Sequence, residues 1–220
     1  MIFPTLIVDN FFKNPYKIKN LSDTLSFKKD EQGKWPGERS KPLHEINFDF
    51  FNFLNLKILS LLYPNDYPNI DFLAESCFQK ISKERYPHEG WVHKDNPSEI
   101  TAIVYLSDHK NCGTSLWKPK NFFVKDFSSE KKQYYYKKNS FDKEQVELIE
   151  QHNNKYEKIL KVDSFFNRLL LFDSSHFHSA SNFIDKDIDS DRLTLITFID
   201  KLNINNTCIK YPITESNRLE

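Results

Sequence analysis

The hydrophobic pattern changes its period as the chain proceeds. Residues 5–12 (TLIVDNFF) are a short apolar run and predict a buried strand. Asn14-Pro15 then opens a predicted helix to about Lys28, with Pro15 suited to the first turn. GKWPGERSKP at 33–42 mixes Gly, Pro, Trp and charge and predicts a loop. Apolar positions at helical spacing return over 45–62 and predict a second helix, closed by the turn YPNDYPN. From Ile70 the texture is that of strands, at 72–81, 101–107, 114–118, 166–172 and 192–199. Residues 120–160 interrupt it. They are charged and rich in Tyr and Lys, and predict an insertion with one helix from about Asp142 to Ile159. Helices first and strands afterwards predict a single α+β domain over residues 1–220, whose working end is an antiparallel barrel or jelly roll.

Composition narrows the function classes. Lys+Arg and Asp+Glu are equal at 31 each, so no general attraction to nucleic acid or an anionic membrane is expected. Cys77, Cys112 and Cys208 are widely spaced, without a CxxC pair, and read as reduced thiols. MIFPTLIVDNFFKNP is a poor signal peptide, and no apolar stretch reaches membrane-spanning length; a soluble, cytoplasmic protein is expected.

The chemistry concentrates in two segments. EGWVHKDNPSEITAIVYLS carries His93 and Asp95, which project from the same face if the backbone is extended. FDSSHFHSASNF places His176 and His178 just after a predicted buried strand. Two imidazoles and one carboxylate on one side of a metal suit non-haem iron(II) and leave the opposite face open. His-x-Asp alone is a weak motif; its context, before one apolar strand with a His after another, strengthens it. Arg192 opens a third apolar strand, RLTLITFI, and with Thr194 and Ile196 on the same face it would line the barrel. A guanidinium there suits a resident dicarboxylate, which would offset the cost of burying it. Ser174 and Ser175 lack the GxSxG elbow of a serine hydrolase.

The order His-x-Asp, distal His, Arg resembles the 2-oxoglutarate/iron(II)-dependent dioxygenase superfamily, most closely its prolyl-hydroxylase-like branch and uncharacterised bacterial and phage members. WVHKDN, AIVYLS, GTSLW, FNRLLLFDSSHFHSASNF and DRLTLITFI carry the resemblance, together with LIVDNFFKNP near the start. It implies a double-stranded β-helix (a jelly roll, cupin-like) with the N-terminal helices packed outside. It implies Fe(II), 2-oxoglutarate and O2 as cofactor and co-substrates, and hydroxylation of a small molecule or peptidyl side chain with release of succinate and CO2. By match to the family pattern, His93, Asp95 and His178 would hold iron, with His178 preferred to His176. Arg192 would bind the distal carboxylate of 2-oxoglutarate, helped by Tyr105, Tyr86 and Thr194. The carboxylate of Asp95 argues against halogenation. Two other readings compete: a non-catalytic jelly-roll binding module, and a cupin-like metalloenzyme that does not use 2-oxoglutarate. Trp35, Arg39, Trp91, Trp117 and the insertion are candidates for the substrate pocket.

Overall fold

The computed structural model describes residues 3–83, 88–121, 136–137 and 143–203. After the short strand β1 (Leu6–Val8), helix α1 (Pro15–Asp23) starts where the sequence predicts it, with the Asn14 side chain accepting from the Lys17 amide at 3.3 Å. It stops before Lys28 because Phe27–Lys29 forms strand β2, paired with β3 (Glu38–Ser40), where a plain loop is expected. Helices α2 (Leu43–Ile46) and α3 (Phe48–Leu62) follow. Asn47 caps α3 by accepting from the Phe50 amide, and Asp49 suits the positive end of its dipole. Phe51, Leu54, Ile58, Leu59 and Leu62 fall at i, i+3, i+7, i+8 and i+11 and give α3 one buried stripe.

The remaining strands are β4 (Asp71–Ile81), β5 (Ile100–Tyr105), β6 (Thr114–Pro119), β7 (Tyr156–Val162), β8 (Leu169–Asp173), β9 (Phe177–Ala180) and β10 (Arg192–Asn203). They form a seven-stranded sheet, β1-β8-β5-β10-β4-β3-β2, and a three-stranded one, β7-β6-β9. Every pairing between these strands is antiparallel. The expected helix from Asp142 to Ile159 is corrected: helix α4 is Lys143–Asn153, and the chain turns into β7 from Tyr156. Tyr156 and Val162 are buried at the two ends of that strand, which pairs with β6 and so joins the smaller sheet. The strand expected from Phe166 begins only at Leu169. Asn167 takes a positive φ of 65°, which Asn tolerates, and its amide both accepts from the Phe12 N–H and donates to the Phe12 carbonyl.

Period-2 alternation divides the large sheet between two interiors. Ile100, Ala102, Val104, Leu169, Leu171, Leu193 and Leu195 join Leu54, Ile58 and Leu59 of α3 in the main core, which places the N-terminal helices on the outer face. Tyr105, Leu170 and Phe172, from alternate positions, pack with Leu116 and Val162 of the smaller sheet. No helix among the described residues is long and apolar enough to cross a membrane.

Candidate metal centre and cavity

The space between the two sheets holds a cavity of about 290 Å³. His93, Asp95 and His178 all line it, and their ligand atoms lie within 4.8 Å of one another. His178 is on β9; His93 forms a single antiparallel bridge to it, with amide-to-carbonyl bonds of 2.9 and 2.8 Å in both directions. That bridge sets the two imidazoles side by side, ring centroids 4.4 Å apart. The Asp95 amide donates to the Ser174 carbonyl at 3.1 Å, and this brings its carboxylate under both rings. Asp95 Oδ1 lies 3.5 Å from His93 Nε2, and Oδ2 lies 3.0 Å from His178 Nε2.

The imidazoles are held from behind. His93 Nδ1 bonds the Trp91 carbonyl at 2.7 Å, and His178 Nδ1 bonds the His176 carbonyl at 3.0 Å. With Nδ1 of each ring engaged by a carbonyl, each Nε2 is turned toward the cavity, where a metal would take the place of its proton. Thr101 Oγ1 donates to Asp95 Oδ2 at 2.9 Å. Burial by itself would raise the Asp95 carboxyl, but the facing His178 and His93 side chains outweigh it and hold the group well below its ordinary value. Two nitrogens, one anionic oxygen and a braced surround fit a divalent first-row metal. His176 stands apart from this cluster; its amide closes a turn onto the Asp173 carbonyl, and its contribution is the backbone oxygen that orients His178.

Arg192 also lines the cavity and is 5% exposed. Its Nε donates to the Cys112 carbonyl at 3.0 Å, and no carboxylate pairs with the guanidinium among the described residues. Burial pushes its pKa down. Thr194 and Ile196 share its face, as the strand parity predicts, and Thr194 Oγ1 is buried with no hydrogen-bond partner among the described residues. Tyr105 stands opposite Thr194 on the neighbouring strand, with the Arg192 guanidinium carbon 5.9 Å from its ring centroid, and its hydroxyl lies 2.8 Å from Oγ1 of Thr114, which lines the cavity. Tyr86 lies outside the described residues. Trp35 and Arg39 line the same cavity; Trp91 and Trp117 do not.

Helix α4 contributes to the site, a role that its sequence does not announce. Asn153 accepts from the Val92 amide at 3.1 Å and donates to the Gly90 carbonyl at 3.0 Å. His152 Nε2 bonds the Val92 carbonyl at 2.8 Å while its ring stacks on Trp91 at 3.9 Å. These contacts clamp the backbone that leads into His93. The only sequence signal is the His152-Asn153 pair at the end of a charged helix.

Comparison with known proteins adds the following. Residues 3–199 match the sequence pattern of DUF6445, a family of unknown function. No curated protein matches the chain. Among solved structures, the chain is similar to HygX from Streptomyces hygroscopicus with nickel and 2-oxoglutarate bound, at a TM-score of 0.56 and 14% identity, covering 90% of this chain and 83% of that one. It is similar as well to the non-haem α-ketoglutarate-dependent epimerase SnoN from nogalamycin biosynthesis, at a TM-score of 0.51 and 14% identity, covering 94% and 83%. At these identities the likeness shows a shared fold.

Proposed function

The chain belongs to the DUF6445 family, whose function is unknown, and from its site we propose that it is a 2-oxoglutarate- and Fe(II)-dependent dioxygenase that hydroxylates a small organic molecule. One observation carries the reading: the His93–Asp95–His178 cluster shares a cavity with a buried arginine that has no acidic partner among the described residues. A metal-only function has no use for that arginine, and a binding module has no use for the cluster. HygX, of the same fold, has structures with nickel, 2-oxoglutarate and hygromycin B bound, which supports both the co-substrate and a small-molecule substrate. The order His93-Asp95, His178, Arg192 supports a place in the prolyl-hydroxylase-like branch, and the two facing sheets support the double-stranded β-helix.

In this reading His93 Nε2, the Asp95 carboxylate and His178 Nε2 hold iron(II). The bound metal supplies dioxygen activation coupled to oxidative decarboxylation of 2-oxoglutarate, giving succinate, CO2 and a hydroxylated product. The chain's own residues position the reactants. Asp95, held well below its ordinary value against the opposing effect of burial by the facing His178 and His93 side chains, would offer an anionic oxygen. Arg192 grips the distal carboxylate of 2-oxoglutarate through the N–H groups other than Nε, and Thr194 Oγ1 adds a donor beside it. Ile103, Ile196 and Phe198 cover the wall with apolar surface that excludes water. The test is succinate formation from 2-oxoglutarate with Fe(II), together with Mn(II) binding as a readout independent of turnover. Wild type should do both and Asp95→Ala neither. Retention of both by Asp95→Ala would reject the assignment.

A further inference from the structure

The cavity continues past the metal cluster to the segment Lys34–Arg39, and its chemistry there is specific. β3 lies beside β4 with Arg39 opposite Gln79, and Gln79 opposite Thr194 of β10. Arg39, Gln79 and Thr194 thus form one row across the sheet, all on the cavity side. Arg39 stands two strands from β10, on the order of 10 Å at about 4.8 Å per strand. It approaches the cavity from a wall position distinct from that of Arg192.

This corner is built rather than loosely draped. Gln79 Nε2 donates to the Pro36 carbonyl at 2.6 Å and ties the loop to the sheet. Gly37 takes a φ of +69°, and a Cβ there would sit 2.3 Å from the Lys80 carbonyl oxygen, so only glycine lets β3 approach β4 this closely. The Arg39 guanidinium is stacked over the Trp35 ring at 4.4 Å, and the Phe198 ring lies 5.4 Å from it. Stacking fixes the guanidinium plane while leaving its edge for hydrogen bonds. Among the described residues, Arg39 Nε and Trp35 Nε1 are nevertheless buried without hydrogen-bond partners, and no carboxylate pairs with Arg39. Buried donors of this kind ordinarily meet an acceptor.

Charge points the same way. Among the described residues, Lys34, Arg39 and Arg192 line the cavity against Asp95 as the one acidic lining residue. Iron(II) and dianionic 2-oxoglutarate cancel formally, so a loaded cavity keeps an excess of positive charge. Phe183, Phe198 and Tyr136 complete an aromatic lining. Resting on the dioxygenase reading, we propose that Arg39 and Trp35 form the substrate subsite and that the substrate is an organic acid: an apolar or aromatic body carrying a carboxylate or phosphate that Arg39 binds through its edge.

Protein loaded with Mn(II) and 2-oxoglutarate is titrated calorimetrically with phenylacetate, the neutral phenylacetamide and the cationic phenethylamine; phenyl phosphate in a parallel arm distinguishes a phosphate from a carboxylate. An anionic probe should bind saturably and the other two should not. Arg39→Gln should weaken its binding roughly tenfold or more, as expected for loss of a charge-assisted pair. Arg39→Lys should recover part of it, and both variants should keep the wild-type affinities for Mn(II) and 2-oxoglutarate. The proposal is overturned if neither acid binds at millimolar concentration, if the amine or amide binds as well, or if Arg39→Gln leaves binding unchanged. It is overturned also if Arg39→Gln loses 2-oxoglutarate, which would make Arg39 the co-substrate clamp. Failure of the wild type to bind Mn(II) or 2-oxoglutarate would instead sink the dioxygenase reading, and the subsite with it.

Discussion

Thr101 donates its hydroxyl to the same Asp95 oxygen that faces His178 Nε2, at 2.9 Å, and stands 2.8 Å from Ser174 Oγ. A residue on the central sheet therefore holds the orientation of a carboxylate that sits outside any strand. Thr101→Val keeps the shape and removes the donor. Metal affinity should fall roughly tenfold to a hundredfold, the usual effect of losing a partner that orients a ligand. Mn(II) titration checks this, and an unchanged affinity would mean that the hydroxyl has no part in holding Asp95.

The two late histidines separate cleanly. His178→Ala should abolish Mn(II) binding, whereas His176→Ala should retain it, because the backbone carbonyl that His178 Nδ1 bonds survives the substitution. Loss only in His176→Ala would reverse the assignment.

Arg192 is tested by a substitution that keeps its charge. Lysine cannot reproduce the planar fork. Arg192→Lys should raise the 2-oxoglutarate concentration needed for half-maximal succinate formation roughly tenfold or more, with Mn(II) binding unaltered. Equal co-substrate requirements would place the clamp elsewhere.

Asn153 touches none of the three metal-site side chains yet holds the segment that leads into His93. Asn153→Ala removes two hydrogen bonds, each worth about 1 kcal/mol, from Val92 and Gly90. Thermal stability should drop modestly and Mn(II) affinity about tenfold as His93 loses its fixed approach. A loss of stability with full metal affinity would show that α4 is only packing.

Asp9 and Arg168 pair through two bonds of 2.6 and 2.9 Å, and the hydrogen bond from Arg168 holds the Asp9 carboxyl below its ordinary value of 3.8. A group whose pKa is depressed by folding adds stability above its unfolded pKa and loses it as pH falls through the folded one. Asp9→Asn should therefore lower the melting temperature at neutral pH, by the equivalent of at most about 1 kcal/mol for so exposed a carboxylate. The gap from wild type should close as the pH falls below the ordinary Asp range. A gap that persists in acid would attribute the effect to something other than the ion pair.

Local patterning was enough to locate α1, α3 and the strands β4, β5, β6 and β10, because period-2 and helical repeats, caps and turn residues act over a few residues. It also put His93 beside Asp95, and Arg192, Thr194 and Ile196 on one face, since parity along an extended chain is a local property. Long-range pairing settled the rest. β2, β3 and β7 exist because a neighbouring strand supplies their hydrogen bonds, which a pattern of single residues does not reveal. The preference for His178 over His176 followed from family resemblance. In the structure it is the bridge from His93 to His178 that sets the latter into the cluster, a backbone contact between segments 85 residues apart in number. Tyr105 meets Arg192, Asn153 reaches back to Gly90, and Arg39 meets Phe198 for the same reason: side chains distant in sequence share a volume only after the sheets have closed on each other.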